Sequence, residues 1–225
     1  MTRFLDAIRV DPPSGLAYRT MVTGAPEALL ILLHGVGGNE SQLESLAWTQ
    51  DPRILCVLAR APLAMGPGHF GWFEVAFGPQ GPVINPGQAE ASRLQLAQLI
   101  EALQLSTGIA PARTVIAGFS QGGILSASLA LTRPDLVAGF GLLSGRILPE
   151  IAPHLAPPEE LKRLSAFISH GLQDSKLPIS WADRAEAWLQ ELGVSFRSRR
   201  YPGGHEWTPA MTKDFAVWLN ERLWP

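Results

Sequence analysis

Thr114-Val115-Ile116-Ala117-Gly118-Phe119-Ser120-Gln121-Gly122-Gly123-Ile124-Leu125 is the stretch from which the rest of the chain can be read. Thr114–Ala117 is an apolar run of strand length, and Gln121–Thr132 is a run of small and apolar residues that predicts a helix ending before Pro134. Between them lies the pattern G-x-S-x-G, Gly118-Phe119-Ser120-Gln121-Gly122. On its own this pattern is common and usually marks a loop. Flanked by a strand and a helix, it predicts a sharp turn that lifts a serine hydroxyl out at the carboxyl end of a sheet. Gly118 and Gly122 leave room for the tight backbone crossing. The helix beginning beside Ser120 also points its free N–H groups and positive dipole end at negative charge developing there. Ser120 is the candidate nucleophile.

Outward from this turn, further strands and helices alternate. Short β-like segments lie around Tyr18–Val22, and continuous apolar strands are expected at Ala28–Leu33 and Ile54–Ala59. Leu96, Leu99, Ile100 and Leu103 recur at helical spacing within Gln88–Ser106. Val137–Leu143 and Ala166–Ser169 read as strands, Ile179–Leu192 as an amphipathic helix closed by Gly193, Ser195–Tyr201 as a strand and Ala210–Leu223 as a last helix. Apolar strands alternating with helices predict an α/β protein with a mostly parallel central sheet covered by helices on both faces. Neither a linker nor an internal repeat divides the chain, so one domain over residues 1–225 is expected. Two loops exceed simple connections: residues 62–87, with Phe70, Trp72, Phe73 and Phe77, and residues 148–161, rich in proline. Neither is long enough for more than a minimal cap, which predicts an open site.

Ligands of such sheets sit beyond the carboxyl ends of the strands. His34 to Asn39, Ser120, Asp174 and His205 all fall there. A serine hydroxyl needs a neighbouring base, and histidine titrates near working pH. A carboxylate then fixes the imidazole tautomer and stabilises the imidazolium. The order Ser120, Asp174, His205 is available. Of five histidines only His205 follows Asp174, in a glycine-rich loop. His34 and His170 each precede a glycine at a strand end and read as structural, whereas His69 and His154 lie in the long loops. Asp174 is the first aspartate after a strand downstream of Ser120, although it could instead cap the following helix. Glu159, Glu160 and Asp183 remain weaker alternatives. The oxyanion donors are expected to be the N–H groups of Gln121 and, from His34-Gly35-Val36-Gly37-Gly38-Asn39, of Val36.

Other chemistries fit poorly. A dinucleotide fingerprint would need glycine where Glu40 stands, and the histidines show no metal-ligand spacing, so neither cofactor nor metal is expected. Trp72 and Phe73 divide between core packing and an apolar wall for substrate; Gln88 reads as a helix-start residue. The 225 residues carry 46% hydrophobic and 17% charged side chains and a net charge of −2, which gives no basic face for nucleic acid or anionic lipid. The single cysteine, Cys56, lies in an expected buried strand and reads as inert. The first residues, Met1-Thr2-Arg3-Phe4-Leu5-Asp6, lack a signal-peptide pattern, and no apolar run is long enough to span a bilayer. A cytoplasmic protein without stable membrane insertion is the expectation.

With these pieces assembled, the chain resembles the phospholipase/carboxylesterase family of α/β-hydrolases, which includes the acyl-protein thioesterases. The matching blocks are Leu33-His34-Gly35-Val36-Gly37-Gly38-Asn39, Trp72-Phe73-Glu74, Gly118-Phe119-Ser120-Gln121-Gly122-Gly123, His170-Gly171-Leu172-Gln173-Asp174 with Pro178, and Gly204-His205-Glu206. The resemblance implies an α/β-hydrolase fold, a Ser120–Asp174–His205 triad and an oxyanion hole from the Val36 and Gln121 amides. It also implies cofactor-free hydrolysis of small-molecule carboxylic esters or thioesters, often by a homodimer. Two departures narrow it. Acyl-protein thioesterases usually carry an acidic residue where this chain has Gly38, and W-F-D where it has Trp72-Phe73-Glu74. Gly38-Asn39 is closer to the bacterial esterase branch, which implies short- or medium-chain esters. A lysophospholipase, an acyl thioesterase or a peptidase on the same scaffold stays open, as does a catalytically silent binding protein of this fold.

Overall fold

A computed structural model describes residues 4–22, 24–78 and 81–224. Residues 1–3, which carry part of the N-terminal expectation, and residues 79 and 80 of the first long loop lie outside that range. In chain order the strands are β1 Phe4–Leu5, β2 Arg9–Val10, β3 Ala17–Val22, β4 Ala28–Leu33, β5 Ile54–Ala59, β6 Leu63–Gly66, β7 His69–Gly71, β8 Val75–Gly78, β9 Gly81–Ile84, β10 Thr114–Phe119, β11 Gly139–Leu143, β12 Ser165–Gly171 and β13 Ser195–Tyr201. The helices are α1 Glu44–Trp48, α2 Pro86–Thr107, α3 Gln121–Thr132, α4 Pro158–Leu161, α5 Ser180–Glu191 and α6 Pro209–Leu223.

The main sheet runs in the order β1-β3-β5-β4-β10-β11-β12-β13, with β2 also on β3. From β5 to β13 every pairing is parallel; β1, β2 and β3 form an antiparallel rim. This is the α/β-hydrolase architecture, a mostly parallel sheet with helices on both faces. Its strands read as unbroken apolar runs because both faces are buried. In β4, Leu29, Ile31 and Leu33 enter one core with α2, α3 and α5, while Leu30 and Leu32 enter the other with α1 and α6. In β5 the same alternation puts Val57 on one side and the buried thiol of Cys56 on the other.

Several boundaries move. β10 continues two residues past Ala117 and delivers Phe119 directly to Ser120. β11 begins at Gly139 instead of Val137, because residues 134–136 form a turn first. β12 extends on both sides of Ala166–Ser169. Loop 62–87 is not irregular: it folds into the hairpins β6–β7 and β8–β9. Segment 148–161 holds a 3-10 turn, Pro149–His154, and the short α4, both with proline in the first turn, where its missing N–H costs nothing. Gln88 lies in the first turn of α2, and its N–H is capped by the Asn85 carboxamide at 3.2 Å. None of the described helices is long and apolar enough to cross a membrane.

Candidate active site

Ser120 is the residue between β10 and α3, with φ 55 and ψ −115. A non-glycine residue in the left-handed φ range is strained by about 1–3 kcal/mol and persists only where its surroundings enforce it. They do so here. The Ser120 N–H donates to the Leu143 carbonyl at 2.8 Å, and its own carbonyl accepts from Ile124 at 3.0 Å. A Cβ on Gly118 would lie 2.3 Å from the Gly122 carbonyl carbon, and one on Gly122 would lie 2.2 Å from the Leu33 carbonyl oxygen. The start of α3 therefore rests on the ends of β4 and β10 with no space for a methyl group.

His205 comes from the turn after β13. That turn lies on the end of β12, since a Cβ on Gly171 would meet the Gly204 carbonyl oxygen at 2.2 Å. His205 Nε2 is 2.9 Å from Ser120 Oγ, and Nδ1 is 2.7 Å from Asp174 Oδ2. With Nδ1 protonated, the ring donates to the carboxylate and accepts from the serine hydroxyl. Phe119 packs against the imidazole at 4.9 Å between centroids. Asp174 is buried and does not cap α5, whose first flanking residue is Ile179. Its Oδ1 accepts from the Lys176 and Leu177 N–H groups at 2.9 and 2.8 Å, which closes the turn ahead of that helix and leaves Oδ2 facing His205, with His170 Nε2 also 3.4 Å from that oxygen. Among the alternatives, Glu159 pairs with Lys162 on the exposed face of α4, and Asp183 with Arg200; Glu160 sits beside Glu159 on α4.

The segment 34–39 lies against the serine: a Cβ on Gly35 would be 3.4 Å from Ser120 Cβ. Its backbone is stitched to the first hairpin, Gly37 N–H to Phe70 carbonyl at 2.8 Å and Phe70 N–H to Gly38 carbonyl at 2.9 Å. Gly35 N–H donates to Gln42 Oε1 at 2.7 Å. Val36 and Gln121 line the same pocket as Ser120 and His205. Gln121 opens α3, so its N–H has no carbonyl partner within the helix.

Trp72 and Phe73 separate in the structure. Phe73 lines the pocket, whereas Trp72 is fully buried behind it. Its N–H donates to Gln121 Oε1 at 2.8 Å, and Gln121 Nε2 donates to the Phe73 carbonyl at 2.7 Å. The Gln121 side chain thus pins the 72–73 backbone to the start of α3. Trp72 Nε1 donates to the His34 carbonyl at 2.9 Å.

Three of the remaining histidines have backbone partners. His34 Nε2 accepts from the Ala61 N–H at 3.0 Å and Nδ1 donates to the Gly35 carbonyl at 2.7 Å, which fixes a neutral tautomer; burial holds its pKa below the usual histidine value. His170 Nε2 donates to the Leu177 carbonyl at 2.7 Å, and burial lowers its pKa as well. His69, on β7, donates to the Gly37 carbonyl at 2.6 Å. His154 is exposed in the turn Pro149–His154. Glu40, at the place a dinucleotide fingerprint reserves for glycine, is bound through both oxygens by Arg60 at 2.6 and 2.7 Å; these bonds hold its carboxyl below the usual range. Among the described residues no group of three or more His, Cys, Asp or Glu side chains could hold a metal ion.

The profile of the phospholipase/carboxylesterase family matches residues 22–222. The chain belongs to that family. As a member of the phospholipase/carboxylesterase family it is an enzyme, a serine hydrolase of the esterase and thioesterase type. It is 28% identical to a probable SOBER1-like carboxylesterase of Arabidopsis thaliana over 98% of this chain and 87% of that protein. It is 29% identical to acyl-protein thioesterase 1 of Emericella nidulans, covering 86% and 89% of the two chains. Among solved structures, esterase PE8 superposes with a TM-score of 0.78 at 26% identity over 90% of this chain and 95% of that one. A carboxylesterase from Mesorhizobium loti shares the fold, with a TM-score of 0.80 at 24% identity over 95% and 99% of the chains.

Proposed function

We propose that this family member, acting as a single domain over residues 1–225, hydrolyses small-molecule carboxylic esters with short to medium acyl chains. The observation that carries the proposal is the hydrogen-bonded series Ser120–His205–Asp174, with links of 2.9 and 2.7 Å, at a pocket of about 400 Å³. Its apolar wall of Phe73, Val75, Ile84 and Ile124 suits an acyl chain of modest length.

His205 Nε2 takes the Ser120 proton as Oγ attacks the ester carbonyl, giving a tetrahedral oxyanion. The N–H groups of Val36 and Gln121 stabilise that charge, a contribution of about 3–4 kcal/mol per donor in such sites. Collapse breaks the bond to the leaving oxygen, which receives the proton from His205, and leaves Ser120 acylated. Water then attacks the acyl-enzyme, with His205 again as base and then as acid, releasing the carboxylic acid and restoring Ser120. Asp174 holds the imidazole tautomer and stabilises the imidazolium.

The test is hydrolysis of a p-nitrophenyl ester series from acetate to palmitate, alongside Ser120→Ala. Wild type should be active with an optimum below long-chain esters, and Ser120→Ala should lose at least about 10³-fold in kcat with its fold retained. Wild-type-like turnover by the variant would remove Ser120 from the mechanism. The identity to an acyl-protein thioesterase favours a second reading, so a thioester of matched acyl length belongs in the same series. Faster turnover of the thioester would favour that reading.

A further inference from the structure

Arg146 lines the pocket at Ser120, and the proposed mechanism has no use for it. It lies in the turn after β11, two residues beyond Ser144, whose φ of 49 is also in the left-handed range. Non-glycine residues in this range cluster at functional sites, where surrounding structure sustains the strain. Arg146 is only 7% exposed, and its Nε is buried without a hydrogen-bond partner among the described residues. One Nη2 contact to the Pro82 carbonyl is long, at 3.5 Å, and the guanidinium lies 4.7 Å from the centroid of the Trp181 ring.

No carboxylate among the described residues comes within 4.0 Å of Arg146, although Arg60 and Arg93 each have one and Arg133 and Arg200 each have two. Exposed Glu150 acts on it only at longer range, and burial lowers its pKa. A guanidinium nevertheless keeps its proton in proteins, so the charge is present. A buried, unpaired charge is strongly unfavourable unless something completes its hydrogen bonds. The rest of the pocket deepens the imbalance. Lys176 stands at its exposed side, and none of the described lining residues is acidic.

We infer that Arg146 is a specificity-determining residue that binds a carboxylate carried by the ester substrate. The inference rests on the hydrolase reading for the reaction, and on the pocket for the charge. The planar fork of a guanidinium matches the two oxygens of a carboxylate, and the surrounding low dielectric strengthens the bond. The preferred substrate is then an ester with a second, free acid group, on either its acyl or its alcohol part. Neutral aliphatic esters fill the apolar wall but leave Arg146 unpaired.

Two substrate pairs distinguish the positions of the acid. The p-nitrophenyl half-ester of glutaric acid against p-nitrophenyl valerate places it on the acyl part. The butyrate ester of 4-hydroxybenzoic acid against phenyl butyrate places it on the alcohol part. The readout is the ratio of kcat/KM, charged over neutral, within each enzyme, which cancels any difference in active fraction. In wild type one pair should give a ratio of about 10 or more, falling about 10- to 100-fold in Arg146→Gln, the effect expected for a hydrogen-bonded charge. Arg146→Lys, which keeps the charge without the fork, should fall between. Calorimetric titration with glutarate supplies an arm independent of turnover: wild type should bind it and Arg146→Gln should not. Ratios near one in both pairs, or ratios that Arg146→Gln leaves unchanged, overturn the inference while the hydrolase reading stands. If folded wild type cleaves none of the four esters, the hydrolase reading fails, and glutarate binding alone decides the anion site. Absence of glutarate binding by wild type then overturns it.

Discussion

The side chains around Ser120 each hold two positions at once. Asp174 closes the turn at Lys176 and Leu177 with one oxygen and orients His205 with the other. Gln121 lines the pocket while its carboxamide fixes Trp72 and Phe73. The division at Asp174 makes a clean prediction. In Asp174→Asn the carboxamide oxygen can still accept from Lys176 and Leu177, but the amide group facing His205 donates and so selects the wrong tautomer. We expect kcat on p-nitrophenyl butyrate to fall about 10⁴-fold with little change in KM, the effect this exchange has where a Ser-His-Asp triad operates. The thermal midpoint should stay within a few degrees of wild type. Near-wild-type kcat in folded Asp174→Asn would mean that Asp174 serves the turn alone. From the sequence, Ser120, Asp174 and His205 were legible because chain order and strand ends select them. Arg146 and the Glu40–Arg60 pair were not, since their meaning lies in contacts between distant segments that no local pattern carries.

At the scale of elements, the strand–turn–helix crossing sets the geometry and leaves no slack. Gly122 sits on the last carbonyls of β4, and Gly118 opposite Leu33 in the parallel register leaves room for it. Gly122→Ala would drive a methyl group into backbone atoms that cannot rotate away, a cost of at least about 3 kcal/mol. For a chain of this size that corresponds to a fall in thermal midpoint of roughly 6–12 °C, or to insoluble protein. Gly87→Ala in the first turn of α2 is the control. The added methyl would meet only Asn85 Oδ1 at 3.5 Å, so stability should hold or rise slightly. Equal melting of the two variants would refute this account of the crossing. The same packing explains which elements the sequence revealed. β4 and β5 match their expected limits because strands buried on both faces leave no polar residue inside their bounds, and α3 matches because the Ser120 turn opens it and Pro134 follows its end. The hairpins of residues 63–84 were read as loop because their strands are short, largely exposed and rich in glycine, so no alternation marks them.

For the molecule as a whole, the two structural histidines tie folding to pH. His34 and His170 are buried at the ends of β4 and β12, each bonded to backbone as a neutral ring, and burial holds both pKa values below the ordinary 6.5. In the unfolded chain both rings take up a proton as pH falls through about 6.5, while in the native protein they refuse it. The unfolded state then binds more protons, so stability is full above that pH and declines below it. The slope approaches about 1.4 kcal/mol per pH unit for each group until its native pKa is reached. Carboxylates held low by arginine, such as Glu40, Glu90 and Asp135, act in the same direction but only below about 4.5, so the two windows are distinct. Urea unfolding should accordingly give a constant midpoint from pH 8.0 to 7.0 and a falling one from 6.5 to 5.0. His34→Gln should be less stable at pH 7.5, since the Ala61 bond is disturbed, yet lose less of its remaining stability between 6.5 and 5.0. A wild-type midpoint that stays level down to pH 5.0 would show that both rings accept protons in place. The site would then have to tolerate a positive charge at His34, directly behind the segment that presents Val36.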